Sequence, residues 1–338
     1  MILEKYKNKK LLVTGATGFI GFYLTCKLKE MGFDVLAIDN NLRGGYASAK
    51  EYFKENNINY FDIDLCNQNQ INQIDEEISS VKAIFHLAAF NGTNNFYKKP
   101  YTVLNNSSLP ILNLINKIIS LKIKPKILYT GSSECYAYGV KKGFNSIPTN
   151  EDVTLALGSH DNPRWSYACG KLLGEYALFN AYQQYQIPFV IARVHNIYGP
   201  RMGLNHFFSD FIKRCLSGEF YIYGPNQTRS YCFIDDCVKA LILLMNTDKS
   251  NLNIFNVGSP REIKNIDCAK LILNELDINH KLEFKDPPKG STERRNPDLK
   301  KLFSIFPSLI KQTSLEEGLK STVAWYANNN LDLDCNES

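Results

Sequence analysis

Short apolar runs alternate with longer amphipathic segments through the first half of the chain. Short apolar runs are typical of buried strands, and apolar positions that recur with the helical period predict helices. The predicted strands are residues 11–13, 35–38, 59–63, 83–87, 126–130 and 188–193. The predicted helices between them include residues 21–29, 103–121 and 167–184. This alternation predicts an α/β fold, a doubly wound parallel sheet covered by its crossover helices.

Beyond residue 196 the pattern becomes irregular and rich in turns, which predicts a smaller mixed C-terminal lobe. A strand-like run at 254–257 is expected to return to the main sheet. No repeat or flexible linker separates the parts, so a site is expected in the cleft between them, at the carboxyl ends of the strands. The predicted division is a first domain over 1–193 with 232–257 returning to it, a substrate lobe mostly over 194–330, and a tail at 331–338.

A glycine-rich segment, TGATGFIG, follows the first predicted strand directly and opens the first predicted helix. The first glycine permits a tight turn, and the second lets the backbone approach a pyrophosphate. The third lets the helix pack closely, while the helix N-terminus offers free N–H groups to phosphates. The segment therefore predicts a Rossmann-type dinucleotide site. Its expected cofactor contacts are Gly15, Thr17, Gly18, Phe19, Ile20 and Gly21.

Asp39 ends the second predicted strand, at the distance from the glycines that a dinucleotide site requires. A carboxylate there accepts hydrogen bonds from an adenosine ribose and repels a 2′-phosphate. NAD is therefore favoured over NADP, although the nearby Arg43 moderates this preference.

Tyr167 and Lys171 lie four residues apart on a predicted helix and therefore share one face. A neighbouring ammonium favours the phenolate and is expected to lower the pKa of the tyrosine. Tyr167 then becomes a base for a substrate hydroxyl, while hydride leaves the same carbon for NAD. The alternative is an ordinary surface Tyr–Lys pair.

Ser132, Ser133 and Glu134 follow the predicted strand at 126–130. Hydroxyl groups at a strand end can hydrogen-bond the reacting oxygen, and a carboxylate beside them can take a proton from carbon. The alternative for Glu134 is a helix-capping or loop acid.

Together these motifs resemble the extended short-chain dehydrogenase/reductase family, in its nucleotide-sugar epimerase/dehydratase branch. The resemblance covers nearly the whole chain, including segments at 64–65, 86–89, 193–201, 223–229, 295–298 and 314–319. It implies NAD in the first lobe, a nucleoside diphosphate sugar in the second and, by association, a role in polysaccharide precursor synthesis. The further cofactor contacts it implies are Asp64, Leu65, Leu87, Ala88 and Ala89. The substrate contacts it implies are Asn91, Asn196, Arg201, Tyr223, Arg229 and Arg295, with Asn196, Arg229 and Arg295 at the diphosphate.

The family reaction would begin with Tyr167 deprotonating the sugar C4 hydroxyl and hydride passing to NAD⁺, which leaves a 4-keto sugar. Glucose-type dehydratases carry an Asp–Glu pair where this chain has Ser133 and Glu134. A Ser–Glu pair occurs in mannose-type dehydratases and in UDP-glucuronate decarboxylases, which the C-terminal half and residues 163–167 also resemble. Residues 90–97 depart from the sugar-pocket segment typical of UDP-xylose-forming enzymes.

We therefore predict Glu134-dependent dehydration or decarboxylation, with 4-epimerisation as the alternative. A plain NAD-dependent dehydrogenase and a non-catalytic nucleotide-binding protein are the further alternatives.

The composition indicates the cellular compartment and the kinds of partner to expect. The chain has 338 residues, 44% of them hydrophobic, and a formal charge of +5. The chain has no long apolar stretch and no signal-peptide pattern, so we expect a cytoplasmic protein that does not bind a membrane. It also has no dense basic helix, so we expect no binding to nucleic acid. Nine scattered cysteines without a C-x-x-C pair predict free thiols and no metal. The resemblance implies a homodimer in which the helices 103–121 and 167–184 of both copies form a four-helix contact.

Overall fold

The computed structural model describes residues 3–43, 47–287 and 291–329. Its main body is a seven-stranded sheet in the order β11-β6-β5-β4-β1-β2-β3, in which every neighbouring pair is parallel. The strands in the described residues are β1 (Lys10–Thr14), β2 (Asp34–Asp39), β3 (Asn59–Asp62), β4 (Val81–His86), β5 (Lys126–Ser132), β6 (Phe189–Val194), β7 (Ile197–Tyr198), β8 (Tyr221–Tyr223), β9 (Thr228–Ser230), β10 (Cys232–Phe233), β11 (Ile254–Val257), β12 (Glu262–Lys264), β13 (Glu283–Lys285) and β14 (Arg294–Arg295).

Helices connect these strands and cover both faces of the sheet. The α-helices are α1 (Phe19–Glu30), α2 (Ala47–Glu55), α3 (Gln68–Asn72), α4 (Asp75–Ser79), α5 (Thr93–Lys98), α6 (Pro100–Ser120), α7 (Ala137–Lys141), α8 (Trp165–Tyr185), α9 (Phe207–Leu216), α10 (Ile234–Asn246), α11 (Asn265–Glu275), α12 (Lys300–Ile305) and α13 (Leu315–Asn328). Short 3₁₀ helices cover Glu4–Tyr6, Ser133–Tyr136, Asp248–Ser250 and Pro307–Leu309.

The central strands are apolar because side chains on both of their faces are buried under helices. Every residue of β5 is buried, and β1 is buried from Leu11 onwards. One face of the sheet forms a core with α1 and α10, and the other forms a second core with α6 and α8. The predicted doubly wound α/β fold is confirmed, and residues 254–257 return to the sheet, where Ile254 pairs with Ile191 of β6.

A third core lies in the C-terminal part of the chain, where α9, α11 and α13 pack together through Phe211, Ile272 and Leu319. Small strand pairs accompany these helices. The strand β14 runs parallel to β9, and their register places Arg295 directly beside Arg229. The tail at 331–338 lies outside the described residues, and the division into two domains stays a prediction.

The order of the main sheet reverses between β1 and β4, which creates a crevice at the carboxyl ends of these neighbouring strands. The glycine-rich segment leaves β1 at this point, and residues 87–89 leave β4 beside it. The fold therefore brings the two predicted cofactor segments together. Within the described residues, no helix combines the length and apolar character needed to cross a membrane.

Candidate active site

A cavity of about 700 Å³ opens at the carboxyl ends of the main-sheet strands and extends to the C-terminal core. Its volume lies within the range of ordinary ligand and cofactor sites. Apart from Arg201, every site residue predicted from the sequence lines this cavity. These are Gly15, Thr17, Gly18, Phe19, Ile20, Gly21, Asp39, Asp64, Leu65, Leu87, Ala88, Ala89, Asn91, Ser132, Ser133, Glu134, Tyr167, Lys171, Asn196, Tyr223, Arg229 and Arg295.

The turn after β1 has room only for glycine at two positions. Gly15 has a φ of +70°, and a Cβ there would lie 2.8 Å from the backbone nitrogen of Ala88. A Cβ on Gly21 would lie 2.0 Å from the carbonyl oxygen of Gly15, far inside van der Waals contact. Gly18 is the N-cap of α1 and carries no capping side chain, so the first N–H groups of the helix are available to an anion.

Asp39 lies at the end of β2 beside this turn. Its Oδ2 accepts a hydrogen bond of 3.0 Å from the backbone N–H of Thr17, and its Oδ1 accepts one of 2.7 Å from Asn41. The carboxylate is therefore fixed where a ribose would follow the pyrophosphate. Arg43 reaches across the cavity, and one of its guanidinium nitrogens lies 3.7 Å from the position of a Cβ on Gly203. The glycine turn, the helix N-terminus and Asp39 together fit NAD.

Tyr167 and Lys171 are both buried at the inner end of the cavity. The ring of Phe96 stacks on that of Tyr167 with 5.4 Å between centroids and fixes its plane. The Lys171 Nζ lies 5.8 Å from the centre of the Tyr167 ring and donates a hydrogen bond of 2.9 Å to the carbonyl oxygen of Thr130. The expected proximity of the two side chains is therefore present, but the hydrogen bond of Lys171 goes to the backbone.

Burial dominates the acid–base properties of this pair. It raises the pKa of Tyr167, although a hydrogen bond from Asn91 and the charge of Arg43 oppose the rise. Burial also lowers the pKa of Lys171 to about 8. The lowering of the Tyr167 pKa expected from Lys171 is not found, because desolvation of a buried phenolate outweighs the charges around it.

Ser132 and Ser133 end β5 and begin the 3₁₀ helix Ser133–Tyr136. The Ser132 Oγ caps that helix by accepting a hydrogen bond of 3.2 Å from the backbone N–H of Glu134. Serine, not glutamate, therefore takes the capping role here. The Glu134 side chain is free for contacts inside the cavity.

Glu134 lies between two arginines from distant parts of the chain. The Arg164 Nη2 lies 3.3 Å from its Oε1 and 3.1 Å from its Oε2, and the Arg295 Nη1 lies 2.8 Å from its Oε1. We call this group the arginine–glutamate cluster. Burial alone would raise the pKa of Glu134, but Arg295 and Arg164 outweigh it and lower this pKa to about 2. Glu134 is therefore a carboxylate throughout the physiological pH range.

The remaining predicted substrate contacts line the cavity from the C-terminal part of the chain. Arg229 donates hydrogen bonds to the carbonyls of Thr228 and Glu293, and burial with the nearby charge of Arg295 lowers its pKa to about 10. Asn196 donates to the carbonyl of Ser230 at 2.9 Å. Tyr223 is partly exposed at the cavity wall.

Arg201 does not lie with these residues. Its backbone is in the left-handed region, with a φ of +62°. Its guanidinium carbon lies 4.0 Å from the centre of the Phe22 ring, and its Nη1 donates a hydrogen bond to the Oγ of Ser48; neither Phe22 nor Ser48 lines the cavity.

Several residues that line the cavity were not predicted as contacts from the sequence. Among them, Arg164 binds Glu134, Phe96 stacks on Tyr167, and Arg214 lines the cavity from the C-terminal part of the chain. Arg164 precedes Tyr167 by three residues, and this helical spacing is a signal that could have identified it.

Comparisons with known proteins agree with this geometry. The family model described as "NAD dependent epimerase/dehydratase family" matches residues 11–258. UDP-N-acetyl-alpha-D-glucosaminuronate decarboxylase of Bacillus cytotoxicus is 31% identical, over 94% of this chain and 98% of the relative. UDP-glucuronic acid decarboxylase 1 of Xenopus tropicalis is 27% identical, over 96% of this chain and 73% of the relative.

A solved structure of UDP-glucose 4-epimerase from Thermotoga maritima with UDP-glucose has a TM-score of 0.82 and 26% identity, over 94% of this chain and 98% of that one. The match to the family model spans most of the chain, from β1 through β11. The chain therefore belongs to the NAD dependent epimerase/dehydratase family and is an NAD-dependent enzyme.

Proposed function

We propose that the enzyme decarboxylates a nucleoside diphosphate hexuronate through a transient 4-keto intermediate. The observation that carries the proposal is the arginine–glutamate cluster, which gathers two guanidinium groups around one carboxylate in the cavity that holds Tyr167. Two similar relatives are named as decarboxylases of UDP-linked uronates, which supports the same reaction class.

The first step assigns Tyr167 as the base that takes the proton from the sugar C4 hydroxyl. NAD⁺, when bound against the glycine turn and Asp39, would supply the acceptor for the C4 hydride. We assign Ser132, which lines the cavity at the end of β5, to hydrogen-bond the reacting oxygen, with Ser133 buried beside it. Lys171 contributes its positive charge at the back of the tyrosine ring.

The second step distinguishes decarboxylation from dehydration. Dehydration needs a base for the C5 proton and an acid for the departing C6 hydroxyl. With a pKa of about 2 and both oxygens bound to arginines, Glu134 is a weak base and no acid. Decarboxylation needs no base, because the electrons of the C5–C6 bond pass into the C4 ketone as CO₂ leaves. A proton then adds to C5, and the hydride returns to C4 or stays in the cofactor.

We assign the substrate diphosphate to the part of the cavity that the C-terminal part of the chain lines. Arg229 is buried there, and Arg214 lines the same wall. Guanidinium groups suit phosphate because their donors form paired hydrogen bonds with its oxygens. Asn196 and Tyr223 complete this end of the proposed substrate site.

The test is incubation of the enzyme and NAD⁺ with UDP-glucuronate and UDP-N-acetylglucosaminuronate carrying ¹³C at C6. Release of ¹³CO₂, with a sugar product lighter by the mass of CO₂, is the expected result. Loss of water with the label retained would contradict the proposal in favour of dehydration.

A second candidate is 4-epimerisation, in which Tyr167 takes the C4 hydroxyl proton, NAD⁺ would accept the C4 hydride, and the rotated ketone regains both on its opposite face. The low pKa of Glu134 also suits this reaction, since epimerisation uses no second base. An unchanged mass with altered chromatographic mobility in the same assay would support it.

We also propose that the enzyme is a homodimer through α6 and α8. These helices pack on each other and expose large aromatic side chains, with Tyr101 of α6 78% exposed and Tyr176 of α8 69% exposed. Leu173 lies three residues before Tyr176 on the same helix face and is also exposed. Light scattering is expected to give a dimer mass for the native chain and a monomer mass for Leu173→Glu.

A further inference from the structure

A network of buried polar side chains lies behind the cavity, where Asn256 of β11 is paired with Arg193 of β6. The two residues are 0% and 1% exposed, and neither lines the cavity. The backbone N–H of Asn256 donates to the carboxylate of Glu151 at 2.7 Å, a bond that needs only an acceptor oxygen and leaves the side-chain amide to other partners. Burying an amide costs free energy unless its hydrogen bonds are formed, so the partners of this amide show what it does.

The side-chain amide of Asn256 uses all of its hydrogen-bonding capacity. Its Nδ2 donates to the carbonyl oxygens of Thr149 at 2.9 Å and Asp298 at 3.1 Å. Its Oδ1 accepts from the Tyr136 hydroxyl at 2.9 Å and lies 3.1 Å from the Nε2 of His195. An amide has two N–H donors and an oxygen with two lone pairs, so each is occupied. A reversed amide would place its oxygen against two carbonyls, so the neighbours of Asn256 permit only this orientation.

Two of these partners lie close in sequence to members of the arginine–glutamate cluster. Tyr136 belongs to the 3₁₀ helix that also carries Glu134. Asp298 follows Arg295 by three residues. One amide of the main sheet therefore joins the segment that delivers Glu134 to the segment that delivers Arg295. The Arg295 Nη1 and the Glu134 Oε1 are 2.8 Å apart in the cavity.

Thr149 connects the segment after Arg295 to the rest of the protein. Its backbone N–H donates to the carbonyl of Asn296, and its carbonyl accepts from the N–H of Asp298, both at 2.9 Å. The Asn256 Nδ2 donates to the same Thr149 carbonyl and to that of Asp298, which ties this contact to β11. Because the contact begins one residue after Arg295, a displacement of this segment would move the Arg295 guanidinium relative to the cluster.

Arg193 holds the Tyr136 hydroxyl from a second direction. The Arg193 Nη1 donates to this hydroxyl at 2.8 Å, and its Nε and Nη2 bind the two carboxylate oxygens of Glu175 at 2.9 and 2.7 Å. The hydroxyl in turn donates to Asn256. A buried network whose members are all bonded is rigid, whereas removing one member leaves another without a partner. The main sheet therefore determines where the 3₁₀ helix of Glu134 lies.

We infer that Asn256 is a positioning residue for the chemical step that follows oxidation at C4. Its amide sets the distance between the segments of Glu134 and Arg295, and thereby the charge beside the reacting sugar. The inference rests on the proposed function for the part that the arginine–glutamate cluster plays in this step. Oxidation at C4 should depend little on Asn256, because Phe96 stacks on Tyr167 and α6 packs along the helix that carries this tyrosine.

Two substitutions each remove one side of the Asn256 contact. Asn256→Asp keeps the size of the side chain and an oxygen for the Tyr136 hydroxyl, but it cannot donate to both carbonyls, which frees the segment after Arg295. Tyr136→Phe keeps the ring and removes the hydroxyl that joins Asn256 to the 3₁₀ helix of Glu134. The matched control is Ser250→Ala, because the Ser250 side chain is also buried and hydrogen-bonded and lies outside the cavity.

Stopped-flow absorbance of NADH and ¹³CO₂ release from the C6-labelled uronate measure the two steps separately. Asn256→Asp and Tyr136→Phe should oxidise C4 within about twofold of the native rate and release CO₂ about tenfold or more slowly, so that NADH accumulates. Ser250→Ala should lower the melting temperature without separating the two steps. Equal slowing of both steps in Asn256→Asp and Tyr136→Phe, or CO₂ release at the native rate, would overturn the inference.

A stability cycle tests the same inference without a reaction. Denaturant titrations at neutral pH measure how much Glu134→Gln destabilises the native protein and how much it destabilises Asn256→Asp. The loss should be smaller in the Asn256→Asp background, where the contact between Glu134 and Arg295 is already weakened, and equal losses would contradict the inference. If Asn256→Asp does not fold, Tyr136→Phe takes its place in the cycle. A native enzyme that releases no CO₂ would refute decarboxylation, whereas unequal losses would still support the positioning of the cluster by Asn256.

Discussion

Replacing Glu134 with glutamine separates the two proposed chemical steps. Glutamine keeps the size of the side chain but removes the charge that Arg164 and Arg295 share. The substitution leaves Tyr167 and the glycine-rich turn after β1 unchanged, so oxidation at C4 should continue. The unbalanced arginines then hold the substrate carboxylate more tightly in its charged form, which opposes its departure as neutral CO₂. We expect NADH and the 4-keto sugar to accumulate.

The expected slowing of CO₂ release follows from the electrostatics of Glu134. Its pKa falls from an ordinary value of 4.5 to about 2 in spite of burial. At about 1.36 kcal/mol per pKa unit, the net preference of this site for the charged carboxylate is about 3 kcal/mol. If the substrate carboxylate gains a similar preference in Glu134→Gln, release of CO₂ slows by about 100-fold.

Stopped-flow absorbance of NADH, recorded alongside ¹³CO₂ release from the C6-labelled sugar, measures both steps in one reaction. The matched control is Glu151→Gln, because Glu151 is a buried glutamate outside the cavity that binds the backbone of Asn256. It should alter stability without separating oxidation from CO₂ release. If Glu134→Gln releases CO₂ at the native rate, the assigned role of the cluster is wrong.

The same pKa predicts how Glu134 affects stability. Because the folded-state pKa lies below the ordinary value, the ion pairs stabilise the protein fully above about pH 4.5 and are lost as the pH falls towards 2. The difference in free energy of unfolding between native protein and Glu134→Gln should therefore be constant near neutral pH and shrink in acid. Denaturant titrations across this range measure the difference, and one that changed near neutrality would contradict the assignment.

Three further predictions concern the oxidation step and the cofactor. Tyr167→Phe should form no NADH with any sugar, and because burial raises the pKa of Tyr167, oxidation by the native enzyme should accelerate from neutral to alkaline pH in a pH–rate profile. Asp39→Ser removes the carboxylate that repels a 2′-phosphate, so the ratio of kcat/KM for NADP to that for NAD should rise about tenfold or more. Gly21→Ala places a methyl group 2.0 Å from the Gly15 carbonyl, so a titration should detect no NAD⁺ binding and the melting temperature should fall.

The main sheet was predictable from the sequence because its central strands are buried on both faces. Such strands appear as continuous apolar runs, and each of the predicted runs corresponds to an observed strand within two residues at either end. The glycine-rich segment was equally informative, since the turn requires glycine for steric reasons at Gly15 and Gly21. Both features leave a signature within one short segment, although the contacts that explain them, such as that of Gly15 with Ala88, come from distant parts of the chain.

Side-chain directions were less predictable. The resemblance implied that Arg201 contacts the substrate, but its guanidinium lies on Phe22 and does not line the cavity, so this contact stays a prediction. The spacing of Tyr167 and Lys171 correctly predicted a shared helix face. It did not predict that Lys171 would extend past the tyrosine to the carbonyl of Thr130. Long flexible side chains find their partners through tertiary contacts, which periodicity does not encode.

The arginine–glutamate cluster shows why the first chemical step was easier to infer than the second. Oxidation at C4 depends on a turn and a helix, each contained in one short segment. In the proposed reaction, the fate of the 4-keto sugar depends on Glu134, Arg164 and Arg295, which come from the end of β5, the start of α8 and β14. A glutamate after a strand suggests a base, but two arginines bound to it make it a permanent anion. We therefore expect the charges that the fold assembles around Glu134 to decide the reaction branch, and replacing those arginines should change the product before it changes the fold.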